Sequence, residues 1–217
     1  MKAMIKKAIF VGTAISLALS TSVFAAAETY QIDPHHTAVT WHINHFGFSN
    51  PSGKWLVDGT IMLDEAKPQD SVVDVTIHAA NVVTGIPELD EHLRSKAFFD
   101  TEKYPLATFK SDKVTMTGKE TAKVKGILTV HGVAKSVTLD VKLNKIGVNP
   151  IINKKTVGFT ASTKLKRSDF NMNTLVPDLG DDIKIDIEAE ANLAGDTVAP
   201  AAPLPAAPAA KAPSANE

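Results

Sequence analysis

An all-β fold of eight long antiparallel strands is predicted by three observations. Apolar residues recur at every second position, turn-forming clusters punctuate those runs, and helical patterning is confined to one short stretch. The first strand alternates Val39, Trp41 and Ile43 with Thr40, His42 and Asn44. The second carries Trp55, Val57, Gly59, Ile61 and Leu63 on one face, and the third Val73, Val75 and Ile77. A fourth runs from around Phe109 towards Gly118, with weaker alternation. Val124, Gly126, Leu128 and Val130 mark the fifth; Val137, Leu139, Val141 and Leu143 mark the sixth. Val157, Phe159, Ala161 and Leu165 form the seventh row, and Ile183, Ile185, Ile187 and Ala189 the eighth. One apolar and one polar face on most strands is the signature of antiparallel sheets.

The turns sit between these rows at Asn50-Pro51-Ser52-Gly53, Ala66-Lys67-Pro68, Thr117-Gly118-Lys119, His131-Gly132 and Val148-Asn149-Pro150. One connection, Thr84 to Tyr104, is long. Within it Pro87 to Ala97 reads as a short helix with Pro87 in its first turn, between the third and fourth strands. Periodicity alone leaves a closed up-and-down barrel and a stacked sandwich both open. Closure would remove the strand edges and leave room for one small ligand.

Both ends of the 217-residue chain stand apart from this core. Lys2, Lys6 and Lys7 precede an apolar run from Ala8 to Leu19 and a small-residue end at Ala25-Ala26-Ala27, so residues 1–27 read as a cleavable secretory signal. The run is shorter than the ~20 residues a membrane span needs. Export to the periplasm is the expected destination. Residues 195–217 are rich in Ala and Pro and read as a disordered, extended tail, which leaves residues 28–194 as the folded domain.

Composition excludes several function classes. With no Cys there are no disulfides, thiolate nucleophiles or Cys-ligated metals. Basic and acidic residues number 23 and 24, without the basic surplus of a nucleic-acid binder. Loss of the leader's three lysines leaves an acidic chain, with little attraction to anionic lipid surfaces. No nucleophile-elbow, zinc-protease or phosphate-cradling motif is present, so a non-enzymatic role without a cofactor is expected.

His35, His36, His42 and His45 raise the question of a metal. Residues one or three apart on a strand point to opposite faces, so these histidines make poor chelating pairs, and satisfied or solvent-facing rings are the favoured reading. Asp90, His92 and Arg94 crowd the helix, and Arg167-Ser168-Asp169-Phe170 crowds a strand end. Asp90 and Arg94 suit an ordinary i,i+4 ion pair. Equally, Asp90, His92, Arg94 and Arg167 would suit the polar head of an amphiphile at a barrel mouth.

Several blocks together resemble the YceI family of exported, lipocalin-like proteins. They are Ile32-Asp33-Pro34-His35-His36-Thr37, His45-Phe46-Gly47, Gly53-Lys54-Trp55, Asp90-Glu91-His92-Leu93-Arg94-Ser95, Lys103-Tyr104-Pro105, Gly126 through Val133, and Arg167-Ser168-Asp169-Phe170. The resemblance runs from about Tyr30 to Ala191. It implies an extended eight-stranded antiparallel barrel, lipocalin-like, with a hydrophobic pore for a long isoprenoid chain or another amphiphilic lipid. The implied function is a periplasmic carrier holding a polyprenyl phosphate or a ubiquinone-like lipid. Relatives are often dimeric, so a homodimer is a further expectation. A periplasmic enzyme or redox partner of quinone metabolism, using the histidines, is the alternative.

The candidate lining residues follow from the inward rows. They are Val39, Trp41 and Ile43; Trp55 and Val57; Val75 and Ile77; Phe109 and Leu128; Leu139 and Val141; and Phe159, Ile185 and Ile187. Three positions depart from the family pattern. Thr37 replaces a usual Ser and keeps the hydroxyl, Leu89 replaces a basic or polar residue, and Asn171 replaces a common Gly. Leu89 shifts the expectation towards a neutral head.

Overall fold

A computed structural model describes residues 27–195. Of the two terminal segments read as signal and tail, residues 1–26 and 196–217 lie outside the described residues.

The chain forms strands β1 (Glu28–Ile32), β2 (Ala38–His45), β3 (Ser52–Trp55), β4 (Val57–Leu63) and β5 (Val72–Ile77). Helix α1 (Pro87–Arg94) follows β5. Then come β6 (Ala107–Met116), β7 (Thr121–Val130), β8 (Val133–Val148), β9 (Lys155–Lys166) and β10 (Leu179–Leu193). All pairings among these strands are antiparallel.

Among the described residues, ten strands make eight staves, because two staves are broken. β1 and β2 lie end to end along β10, with Ile32 opposite Ala191 and Ala38 opposite Glu188. β3 and β4 continue one another beside them, with Val39 opposite Trp55 and Tyr30 opposite Ile61. Since β10 pairs with β9 on one side and with β1 and β2 on the other, the sheet closes. A barrel forms, not a sandwich.

This differs from the pattern reading at three points. β1 carries only Tyr30 and Ile32 as an apolar row, too short to register as periodic. The row from Trp55 to Leu63 is interrupted at Leu56, whose carbonyl accepts the His78 amide. α1 stops at Arg94 instead of Ala97, because Ser95 turns extended and its carbonyl takes the Phe98 and Asp100 amides. With the extra strands counted, the helix lies between β5 and β6.

The break between β1 and β2 is held by the Asp33 amide, which donates to the Glu190 carbonyl at 2.9 Å, and by one hydroxyl. Thr37 Oγ1 donates to the Glu190 carbonyl and accepts the Glu190 amide, both at 3.1 Å. Thr37 is buried, so this side chain supplies the ladder bonds that the missing strand residue would have made. Thr37→Val should therefore lose about 1–3 kcal/mol of unfolding free energy, whereas Thr37→Ser should stay near wild type. Urea denaturation of the three proteins checks this.

Close approach sets two glycines. A Cβ at Gly126 would lie 2.4 Å from the Lys110 carbonyl oxygen and 2.7 Å from the Phe109 ring, beside the β6 bulge between Ser111 and Lys113. At Gly59, φ is +133° and a Cβ would meet the Asp74 carbonyl oxygen at 2.3 Å. Only glycine fits either site without moving the neighbouring strand.

Candidate functional site: an apolar lumen with two unlike ends

The inward rows enclose a cavity of about 830 Å³. That is the upper part of the ~300–1,000 Å³ range of small-molecule sites. Val39, Trp41 and Ile43 of β2 line one part of its wall, and Leu139 and Val141 of β8 line another. Trp55, Val57, Val75, Ile77, Phe109, Leu128, Phe159, Ile185 and Ile187 complete the wall from the remaining staves. Every apolar candidate read from the alternation thus borders the lumen.

One end of the barrel is partly plugged. Tyr30, Val157 and Ala191 are fully buried and pack with Ile32, Ile61 and Leu63. The Tyr30 hydroxyl donates to Glu28 at 2.8 Å, and Lys155 bridges Glu28 and Glu65 at 2.5 and 2.6 Å. Burial, together with the bond to Glu28, raises the Tyr30 phenol above its ordinary pKa, and the Lys155 ammonium pulls Glu28 below the usual carboxylate value. Beside this plug the lumen continues to the hairpin end, where Glu65, Lys119 and Glu120 border it.

At the opposite end α1 lies across the barrel. Leu89, His92 and Leu93 share its inward face by helical spacing and line the lumen. Around them sits an aromatic layer. Trp55 meets Trp41 at 6.1 Å and Phe99 edge-on at 5.2 Å, and His92 meets Phe98 at 4.9 Å. Among the described residues, the indole N–H groups of Trp41 and Trp55 are buried without a hydrogen-bond acceptor. Trp41 lies so close over Gly53 that a Cβ there would be 2.4 Å from its ring.

The four polar candidates do not form a head-group cluster. Arg167 lines the lumen and is 5% exposed, but its Nε, Nη1 and Nη2 donate to the carbonyls of Gly180, Met172 and Leu179 at 2.8, 2.8 and 2.7 Å. Burial lowers its pKa, with nearby Asp181 opposing. Asp181 itself accepts the Ser168 amide and hydroxyl at 2.9 and 2.8 Å. Asp90 accepts the Thr84 amide and hydroxyl at 2.7 and 2.6 Å, tying the loop before α1 to the helix. Arg94 does not line the lumen, and its carbonyl accepts from Thr101. His92 alone borders the lumen with an exposed ring.

The clustered histidines disperse. His45 lines the lumen beside Phe46, while His42 Nε2 contacts Asp186 at 3.2 Å. His36 Nδ1 lies 2.8 Å from Asp33. Among the described residues, Asp33, His36 and Glu190 are the one trio close enough to share a metal ion. They belong to the strand break, where Asp33 also accepts the His35 amide.

The hydrogen bond to Asp33, reinforced by the charges of Asp33 and Glu190, raises the His36 pKa above its ordinary 6.5. Its contribution to stability is therefore complete below about pH 6.5 and fades as pH rises through the raised value. An NMR titration should place the His36 midpoint above 6.5, and Asp33→Asn should bring it back down.

The alternation did not mark several mouth residues. Phe46, Leu89, Phe98, Phe99, Phe170 and Leu175 border the lumen from loops and short helices, where no strand period exists. Lys119 and Glu120 lie in a turn whose orientation depends on the hairpin it closes.

A YceI-like domain matches residues 30–191. The chain belongs to the YceI family. It is 42% identical over 178 residues to protein YceI of Escherichia coli O157:H7, covering 81% of this chain and 90% of that one. A UPF0312 protein of Pseudomonas putida (strain GB-1) is 38% identical over 172 residues, covering 78% and 88%. Among solved structures, the YceI protein of Campylobacter jejuni superposes with a TM-score of 0.61 at 35% identity, over 67% of this chain and 86% of that one. BcnA of Burkholderia cenocepacia shares the fold at 24% identity, with a TM-score of 0.67 over 73% of this chain and 98% of that one. A polyisoprenoid binding domain from Saccharophagus degradans shares it at 14% identity, with a TM-score of 0.60 over 76% and 98%. The same barrel fold is thus shared by chains that have diverged widely in sequence.

Proposed function

We propose that this chain is a carrier that holds one long-chain isoprenoid lipid in its lumen, with no catalytic role. The carrying observation is the lumen itself: about 830 Å³, walled by apolar side chains from every stave. Removing an isoprenoid from water into such a wall is worth about 25 cal/mol per Å² of apolar surface buried. The shared fold of a polyisoprenoid binding domain supports the same ligand class.

A neutral, ubiquinone-like head fits better than a polyprenyl phosphate. The guanidinium that lines the lumen, Arg167, is already bound to three backbone carbonyls, and the aromatic layer of Trp41, Trp55 and Phe99 suits a flat ring. The leader-like segment 1–27 supports export, so we place the carrier in the periplasm.

Native mass spectrometry of the protein as purified, followed by organic extraction, tests this directly. A mass surplus matching an isoprenoid is expected. A bare chain that also refuses added ubiquinone and polyprenyl phosphate would overturn the reading.

A further inference from the structure

We propose that the α1 end of the barrel docks on the surface of a neutral lipid bilayer through the loops 46–51 and 171–177, and that lipid crosses between bilayer and lumen there. This rests on the carrier reading for its purpose, but its observations are separate. His45 pairs with Leu179, which sets the two loops side by side. Val83 bridges to Lys54, which brings the segment before α1 to the same end, and the Thr174 hydroxyl donates to the Ala97 carbonyl.

Large apolar side chains stand out of this rim. Phe48 is 91% exposed, Leu175 57%, Ile86 54% and Phe46 40%. The segments Phe46 to Gly53, Asn171 to Pro177 and Val83 to Pro87 contain no charged residue. Single exposed apolar residues are ordinary, but a group of them at the mouth of an apolar cavity marks an interaction surface.

Two of these residues belong to both surfaces. Phe46 and Leu175 line the lumen and also face outward. Each has left-handed backbone geometry, with φ of 55° and 58°. Bulky residues rarely adopt it, so the chain accepts strain to hold these side chains at the opening. An apolar path therefore runs unbroken from outside to lumen.

The bilayer is favoured as occupant because the rim leads into a cavity for an apolar chain, whose source is a membrane. A neutral surface is favoured by charge. Exposed Asp178, Glu88 and Glu91 border this rim and repel anionic lipid; the flanking cations Lys54 and Lys96 offset them only in part, and the apolar loops 46–51 and 171–177 themselves carry no charge. The hairpin end also exposes Val148, Ile151 and Ile152, but charged Glu65, Lys119 and Glu120 border the lumen there.

The chain has no cysteine, so single-site labelling is clean. Ser49→Cys and Ile151→Cys, at opposite ends, would carry an environment-sensitive fluorophore and be mixed with phosphatidylcholine vesicles. A blue shift at position 49 and none at 151 is expected, unchanged by salt and not strengthened by added phosphatidylglycerol. Phe48→Asp, at a side chain with no packing role, should abolish the shift. It should also slow ubiquinone uptake from vesicles at least tenfold while leaving uptake from detergent unchanged. No shift at 49, equal shifts at both ends, or a salt-sensitive requirement for anionic lipid would overturn docking. So would a dimer in sedimentation velocity that Phe48→Asp dissolves without any vesicle binding. Failure of uptake from detergent as well would count against the carrier reading, and the fluorophore would still judge the docking.

Discussion

Arg167→Met is expected to destabilise the fold by roughly 3 kcal/mol, because it removes three bonds to a charged donor and strands one buried and two half-buried carbonyls. The guanidinium bonds the carbonyls of Met172, Leu179 and Gly180, so one side chain gathers both ends of the loop between β9 and β10. Such bonds to a charged donor are about twice as strong as neutral ones. Lysine cannot rescue the site, since a single ammonium does not reproduce a planar fork with separate donors. Guanidinium chloride unfolding of wild type, Arg167→Met and Arg167→Lys should show both variants well below wild type. If Arg167→Lys matches wild type, the fork geometry is not what matters. The loop carries Leu175 and Met172 at the lumen mouth, so both variants should also lose ligand faster.

Ile187→Lys should leave the barrel folded and reduce isoprenoid affinity at least a hundredfold. Ile187 projects from β10 into the lumen near Val39 and Ala161, and it is only partly buried. A lysine stem fits the cavity, and its ammonium can stay hydrated as long as water has access to the lumen. Entry of an apolar chain would strip that water from the charge, and the penalty falls on the bound state alone. A hundredfold loss corresponds to about 2.7 kcal/mol, well within the cost of dehydrating an ammonium. Circular dichroism should match wild type while titration with ubiquinone fails. Unfolding of the variant would mean that Ile187 is core packing and not cavity wall.

The wall was legible in the sequence, and the mouth was not. Along a strand one parity faces inward, so Trp41, Leu139 or Ile185 could be assigned from their immediate neighbours. Strand closure was not legible from that period, since a barrel and a sandwich share it. β1 escaped because two apolar residues make no rhythm, and Leu56 hid a break inside an unbroken-looking row. The polar candidates were legible only in part: His92 and Arg167 do border the lumen, but the surroundings of the four did not show in the sequence. Asp90 looks like a partner for Arg94 and Arg167 looks free in sequence, but Asp90 is held by Thr84 and Arg167 by carbonyls of residues 172–180. A charged residue's availability depends on neighbours that only the fold supplies.

Closure of the barrel joins the two extremes of the folded chain, since β10 pairs with β1 and β2. This topology has a kinetic consequence. Neighbouring strands β4 to β10 can zip together through local connections, but β2 has to wait for β10, more than a hundred residues later. Until β10 has left the ribosome, or any channel the chain threads, β1, β2 and β9 present unpaired edges and an unfilled apolar face. Folding of this protein is therefore a race between its last strand and aggregation, and loss of only the final strand should leave an open, sticky sheet instead of a smaller barrel.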